Sequence, residues 1–298
     1  MRQSMDHNTT PPSKTRIIAG CLYLRHPTPT AYDIKVHELG DCHTEAVVMP
    51  HYSWSELDCL SPSALADYTA ALLNPPPPTP LELLDRAARS ADNAKKRAKT
   101  AVRRLVKDKN LDQMLTLTYR ENVTDRDTHL RNFDVFIKRV RRAVPSFEFV
   151  VTHEIQKRGA WHAHIAVRRI LPVYMYQGQL VKSYNLLTHL WRESHSSGGA
   201  CRVSDFTKGK RRDIAQIANY LSKYIGKSLG DEVPKYGNSY SASDGRPAPP
   251  VTIRVPRRSL FDAVMDLHDL LPEALGKVYT AFLPGSMYYL AASPPRSP

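Results

Sequence analysis

His162-Ala163-His164 follows shortly after Glu154, and two tyrosines one helical turn apart, Tyr220 and Tyr224, come later in the chain. Imidazole nitrogens and carboxylate oxygens are metal donors. Two histidines plus one carboxylate leave coordination positions open, where a divalent cation can polarise a phosphate oxygen. Mg²⁺, Mn²⁺ and Zn²⁺ all suit such a mixed donor set. A phenol of pKa about 10 is a poor nucleophile until a neighbouring cation favours its ionised form. Each tyrosine is followed three positions later by a lysine, Lys223 and Lys227. Together these residue types could support attack of a tyrosyl oxygen on a phosphodiester.

The elements that must position them can be read locally. Phe147–Glu154 is β-branched and aromatic and reads as a strand, and Ala160–Val167 as a second. Lys157-Arg158-Gly159 between them suits a hairpin loop with glycine in its left-handed position. That loop pairs Gln156 with Ala160 and sets Glu154 opposite His162. Side chains alternate along a strand, so Glu154, His162 and His164 share one face while Trp161, Ala163 and Ile165 take the other. The plainer alternative is a pair of polar residues on a solvated strand. Asp213 can cap a helix from Ile214. Ile214, Ile217, Leu221 and Ile225 form its apolar stripe, with Tyr220, Tyr224 and Lys227 on one flank. A lone tyrosine there would ordinarily pack its ring and wet its hydroxyl.

The order Leu115-Thr-Leu-Thr118-Tyr, then Glu154…His162-Ala-His164, then Tyr220-Leu-Ser-Lys-Tyr224-Ile-Gly-Lys227 resembles the three-motif layout of HUH endonucleases, the rolling-circle replication initiators of phages and plasmids. The resemblance covers about residues 112 to 230. It implies that His162, His164 and Glu154 hold Mg²⁺ or Mn²⁺ and that Tyr220 or Tyr224 attacks single-stranded origin DNA. The tyrosine keeps the 5′-phosphate and frees a 3′-OH, with Lys223 or Lys227 assisting at the phosphate. It also implies a ferredoxin-like or palm-like core. Ala163 is smaller than the bulky apolar residue usual between the histidines.

The rest of the chain reads as support. A net charge of +13 over 298 residues suits a polyanionic partner. Leu81–Asp108 reads as one long basic helix, where Arg103 and Arg104 could track phosphates, and Lys208, Lys210, Arg211 and Arg212 form a basic loop before the tyrosine helix. The Pro75–Pro78 run marks a boundary. The organisation expected is an N-terminal extension over 1–74, a Pro-rich linker and basic helix over 75–110, the endonuclease core over 111–230, and a C-terminal extension over 231–298. The four cysteines show no C-x-x-C spacing and are expected reduced. With no signal-peptide core and no long apolar run, a cytoplasmic location, in a bacterial host, is expected. No G-x-x-x-x-G-K-[ST] loop occurs, so a host helicase and polymerase are expected as partners. The fold class expected is α+β, a central antiparallel sheet with helices on one face and the tyrosine helix crossing the other. Two rivals share the residues: a relaxase or single-strand transposase with the same chemistry, and a basic DNA-binding regulator whose histidine hairpin is structural.

Overall fold

The structure is a computed structural model that describes residues 15–19, 21–56, 61–204, 213–227, 240–243, 245–271, 275–283 and 287–295. In chain order its elements are β1 (Thr15–Ile18), β2 (Cys21–Leu39), β3 (His43–Glu56), α1 (Pro62–Leu73), α2 (Pro80–Asp108), β4 (Gln113–Tyr119), α3 (Arg126–Ala143), β5 (Phe149–Ile155), β6 (Trp161–Val167), β7 (Val173–Tyr176), β8 (Gln179–Lys182), α4 (Ser183–Arg192), β9 (Gly199–Ser204), α5 (Ile214–Lys227), β10 (Tyr240–Ala242), β11 (Val251–Val255), α6 (Leu260–Asp269), β12 (Val278–Leu283) and β13 (Met287–Ala292). The class is α+β with antiparallel sheets, and the N-terminal strands form a sheet of their own. Among the described residues no helix is long and apolar enough to cross a membrane.

The chain divides into two compact units. One comprises Met1–His37, Glu45–Ala88 and Pro250–Ala292; the other comprises Glu38–Thr44, Arg89–Pro249 and Ser293–Pro298. In the first, the strand order is β1-β2-β3-β13-β12 with β11 also paired to β2. Strands from both ends of the chain therefore share one sheet. Its core gathers Ile34, Ala46 and Val48 with Leu260, Val264 and Leu267 of α6 and Leu290 of β13.

The second unit carries the motif residues on a sheet ordered β10-β5-β6-β4-β9. The stripe Phe133, Phe136, Ile137 and Val140 of α3 is buried, together with Leu186, Leu187, Leu190 and Trp191 of α4, against Leu115, Leu117, Val151, Ala163 and Ile165 of the sheet. Side chains of this size contribute roughly 1.5–3 kcal/mol each when fully buried. Trp191 is a core anchor whose indole N–H donates to the Thr118 carbonyl at 2.9 Å. On the other face, Ile217, Ala218, Leu221 and Ile225 of α5 pack with Val102, Leu105 and Val106 of α2 onto Met114, Val150 and Ala166. The tyrosine helix crosses this face as expected, and the C-terminal end of the basic helix joins it there. The upstream part of α2 is solvated, with Leu81 and Leu84 exposed. Its start is held by Thr79 and Glu82, which cap each other's backbone N–H.

Several local expectations need correction. Ile17–Leu24 is not one strand but the junction of β1 and β2, turned at Ala19 with φ 51°. Gln179–Lys182 belongs to a hairpin rather than to the start of a helix through Glu193. Gln177 and Gly178, both at positive φ, make the two-residue turn that pairs Tyr176 with Gln179. Leu180 and Tyr184, expected inside, are consequently exposed. The cap of α3 is Asp125, whose carboxylate accepts from Thr128 N–H at 2.7 Å, rather than Asp127. Gly199 begins β9 instead of ending a turn, and Ala291 and Ala292 end β13 rather than opening a disordered tail.

Two outcomes test this packing. A Cβ on Gly199 (φ 148°) collides with the Thr118 carbonyl oxygen across the β4–β9 pair. Gly199→Ala is therefore expected to lower unfolding stability by more than about 2 kcal/mol, read as a shift in urea midpoint. His129 is fully buried on α3, where desolvation, aided by nearby His153, pushes its pKa down to about 2. The unfolded chain takes up this proton near pH 6.5, whereas the folded chain does not. Stability is therefore lost as pH falls below about 6.5, by about 1.4 kcal/mol per pH unit for this group. Urea unfolding followed through Trp161 and Trp191 between pH 7 and 5 reads this, and a flat profile contradicts it.

Candidate active site

The site begins with the turn joining β5 to β6. Gln156 N–H donates to the Ala160 carbonyl at 2.9 Å, and Gly159 N–H donates to the Gln156 carbonyl at 2.8 Å. Gly159 adopts φ 82°, the left-handed conformation that favours glycine. This closure fixes the register: Glu154 lies opposite His162, and Thr152 opposite His164. On its other side His164 faces Thr116 of β4. Alternation then sends Trp161, Ala163 and Ile165 into the core beneath α3 and α4.

His164 is the hub of the ligand face. Its Nε2 lies 3.0 Å from Glu154 Oε2, a diagonal cross-strand pair. The Tyr224 ring stacks on the His164 ring, with centroids 3.9 Å apart and planes inclined by 13°. Tyr220 meets the same imidazole edge-on at 6.2 Å, and the two phenol rings are 5.1 Å apart and nearly perpendicular. The helix that brings them is fixed at its start by Asp213, whose carboxylate accepts from Ala215 N–H and whose carbonyl accepts from Gln216 and Ile217 N–H. Its apolar stripe holds the rest.

His162 stands one pair nearer the turn. Its Nδ1 lies 3.1 Å from the Gln156 amide nitrogen. Its Nε2 is buried and has no hydrogen-bond partner among the described residues. Burial first, then the charges of His164 and Arg158, push its pKa down to about 4, against the opposing pull of Glu154. The ring is therefore neutral near pH 7 and keeps a nitrogen lone pair.

Among the described residues, no three His, Cys, Asp or Glu side chains gather closely enough to hold a metal ion. Glu154, His162 and His164 share a face, yet Glu154 and His164 are hydrogen-bonded to each other rather than converging with His162 on a common point. The donor set still fits a divalent cation. It offers a carboxylate, two imidazoles and a buried ring nitrogen that lacks a partner among the described residues. Of the other expected residues, Lys223 is exposed on α5, and Lys227 closes that helix with its side chain outside the described residues. Arg103 and Arg104 are half-buried on α2. Lys208, Lys210, Arg211 and Arg212 lie outside the described residues.

Sequence reasoning overlooked three features here. Gln156 and Thr152 have the same strand parity as Glu154, a signal that was available. Thr152 is fully buried, and its hydroxyl has no hydrogen-bond partner among the described residues. Behind the sheet runs a buried polar chain. Asn132 donates to the Tyr119 hydroxyl at 3.3 Å, which lies 3.0 Å from His129 Nδ1, and His129 Nε2 lies 2.9 Å from His153 Nδ1. His129 also stacks on Trp161, with planes 13° apart.

Residues 112–229 match the family model of the replication-associated protein ORF2. The matched segment runs from the start of β4 to the tail of α5 and includes every ring and carboxylate of the site. Comparison with curated proteins and with solved structures gave no match.

Thr152 provides a test of the site's floor. Replacing its buried hydroxyl with a methyl in Thr152→Val is expected to leave stability within about 0.5 kcal/mol or to raise it. A loss above about 1 kcal/mol in urea unfolding would show that the hydroxyl has a partner.

Proposed function

We propose, from a central segment carrying the signature of replication-associated proteins, that this protein nicks and rejoins single-stranded origin DNA to start rolling-circle replication. The observation that carries the reading is the seating of both phenol rings on His164, the imidazole that is also bonded to Glu154. Two oxygen nucleophiles thus stand beside a face of metal donors.

Glu154, His162 and His164 would hold Mg²⁺ or Mn²⁺, which when bound draws charge from a non-bridging oxygen of the scissile phosphate. The protein's own residues do the rest. The oxygen of Tyr220 or Tyr224 attacks phosphorus as its proton leaves. The bond from phosphorus to the 3′-oxygen breaks, and that oxygen departs as a 3′-OH after taking up a proton. A tyrosyl–5′-phosphate ester remains. No water is consumed, so a later 3′-OH can attack the ester and rejoin the strand. Lys223 and Lys227 supply positive charge near the phenols, favouring the ionised form. Arg103, Arg104, Lys208, Lys210, Arg211 and Arg212 would hold the flanking backbone. The partners under this reading are origin DNA, extruded or single-stranded, and the host's helicase and polymerase in the bacterial cytoplasm.

The test uses a fluorescent single-stranded oligonucleotide from the origin of the replicon that encodes the chain. With Mn²⁺, the full chain is expected to form a denaturant-resistant protein–DNA adduct. EDTA abolishes it, and so does the double variant Tyr220→Phe/Tyr224→Phe, which keeps both rings for packing. Binding of the oligonucleotide without any adduct overturns the nicking reading and favours a regulator.

A further inference from the structure

Gln156 sits beside the turn, half-buried, and its side chain touches the one ligand-face imidazole that Glu154 does not bond. As placed, its amide N–H donates to His162 Nδ1 at 3.1 Å, so the ring proton resides on Nε2. That nitrogen is buried without a partner among the described residues, and an unsatisfied buried donor costs about 1–3 kcal/mol. A half-turn of the amide exchanges its oxygen and nitrogen without other movement. The oxygen then accepts Nδ1–H, and Nε2 presents a lone pair.

Resting on the nicking reading above, we infer that Gln156 is a positioning residue that selects the tautomer of His162. Its carbonyl oxygen keeps the proton on Nδ1 and leaves Nε2 to ligate the divalent cation. A metal-binding histidine commonly donates its other ring N–H to an acceptor that fixes ring orientation. The surroundings leave this role to Gln156. Lys157 and Arg158 of the turn carry no side-chain acceptor, and the Glu154 carboxylate is engaged by His164. The amide thus has two settings, one for each tautomer, and cation binding selects the second.

The experiment is a Mn²⁺ titration of the full chain, read from the paramagnetic signal of free Mn²⁺, with ¹⁵N NMR of His162 in the Mg²⁺-loaded wild-type protein. Gln156→Met, which keeps length but neither donates nor accepts, is expected to weaken Mn²⁺ binding about 10- to 100-fold. Gln156→Glu, which accepts but cannot donate when ionised, is expected to retain wild-type-like binding. The loaded wild-type ring is expected to be protonated at Nδ1. Unchanged affinity in Gln156→Met, equal weakness in Gln156→Glu, or an Nε2-protonated ring overturns the inference. These outcomes leave the functional reading standing, because the wild-type chain still binds Mn²⁺. A wild-type chain that takes up no Mn²⁺ brings down both. The NMR readout needs no variant, so a misfolded substitution does not decide the matter.

Discussion

The antiparallel register between β5 and β6 is the constraint from which the candidate site follows. Because strand side chains alternate, slipping this pair by one residue would send Glu154 to the wrong face and bring His153 to the ligand side. Two things hold the register. At one end the turn closes on Gly159 in a conformation costly for any residue with a Cβ. Along its length, Val151, Ala163, Ile165 and Val167 must stay in the core under α3 and α4. The apolar face therefore dictates where the polar face points. The small Ala163 lies on the core side, where its size is a matter of packing and not of coordination.

The second requirement is that α5 reach the ligand face at the right height. Ile217, Leu221 and Ile225 fasten it to Val150, Ala166 and Met114, leaving Tyr220 and Tyr224 on the flank that meets His164. Packing and chemistry are thus assigned to different sides of one helix. The sheet is similarly divided, because the buried chain from Asn132 through Tyr119 and His129 to His153 occupies the face opposite the ligands. Its rings are held neutral by burial, as the depressed values of His129 and His153 reflect. A satisfied polar chain of this kind specifies one arrangement of β4, α3 and β5, since any other leaves a buried nitrogen or oxygen without a partner.

Sequence was most informative where the determining forces are local. The turn at Gly159, the parity of Glu154, His162 and His164, and the stripes of α3 and α5 each depend on residues within a few turns of one another, and each could be read. Gln177-Gly178 was equally local but was masked by helix-like spacing through Leu187, Leu190 and Trp191. The turn overrode that spacing because both residues sit at positive φ. Long-range pairing was not legible. Nothing near Val251 or Met287 announces that β11 and β13 join strands from the other end of the chain. Side-chain closure was not legible either. Register placed three donors on one face, but whether His164 bonds Glu154 or turns toward His162 depends on the packing of Tyr224, far along the sequence.

The nicking chemistry requires a cation on the face beneath the two phenols. A crystal of the full chain soaked in Mn²⁺, with anomalous scattering recorded at the manganese edge, tests this most directly. The expected result is one strong peak bound by Glu154, His162 and His164 beside Tyr220 and Tyr224, with the 3.0 Å bond between His164 and Glu154 opened to admit it. A peak held by other residues, or an intact His164–Glu154 bond with no manganese at saturating concentration, would contradict it.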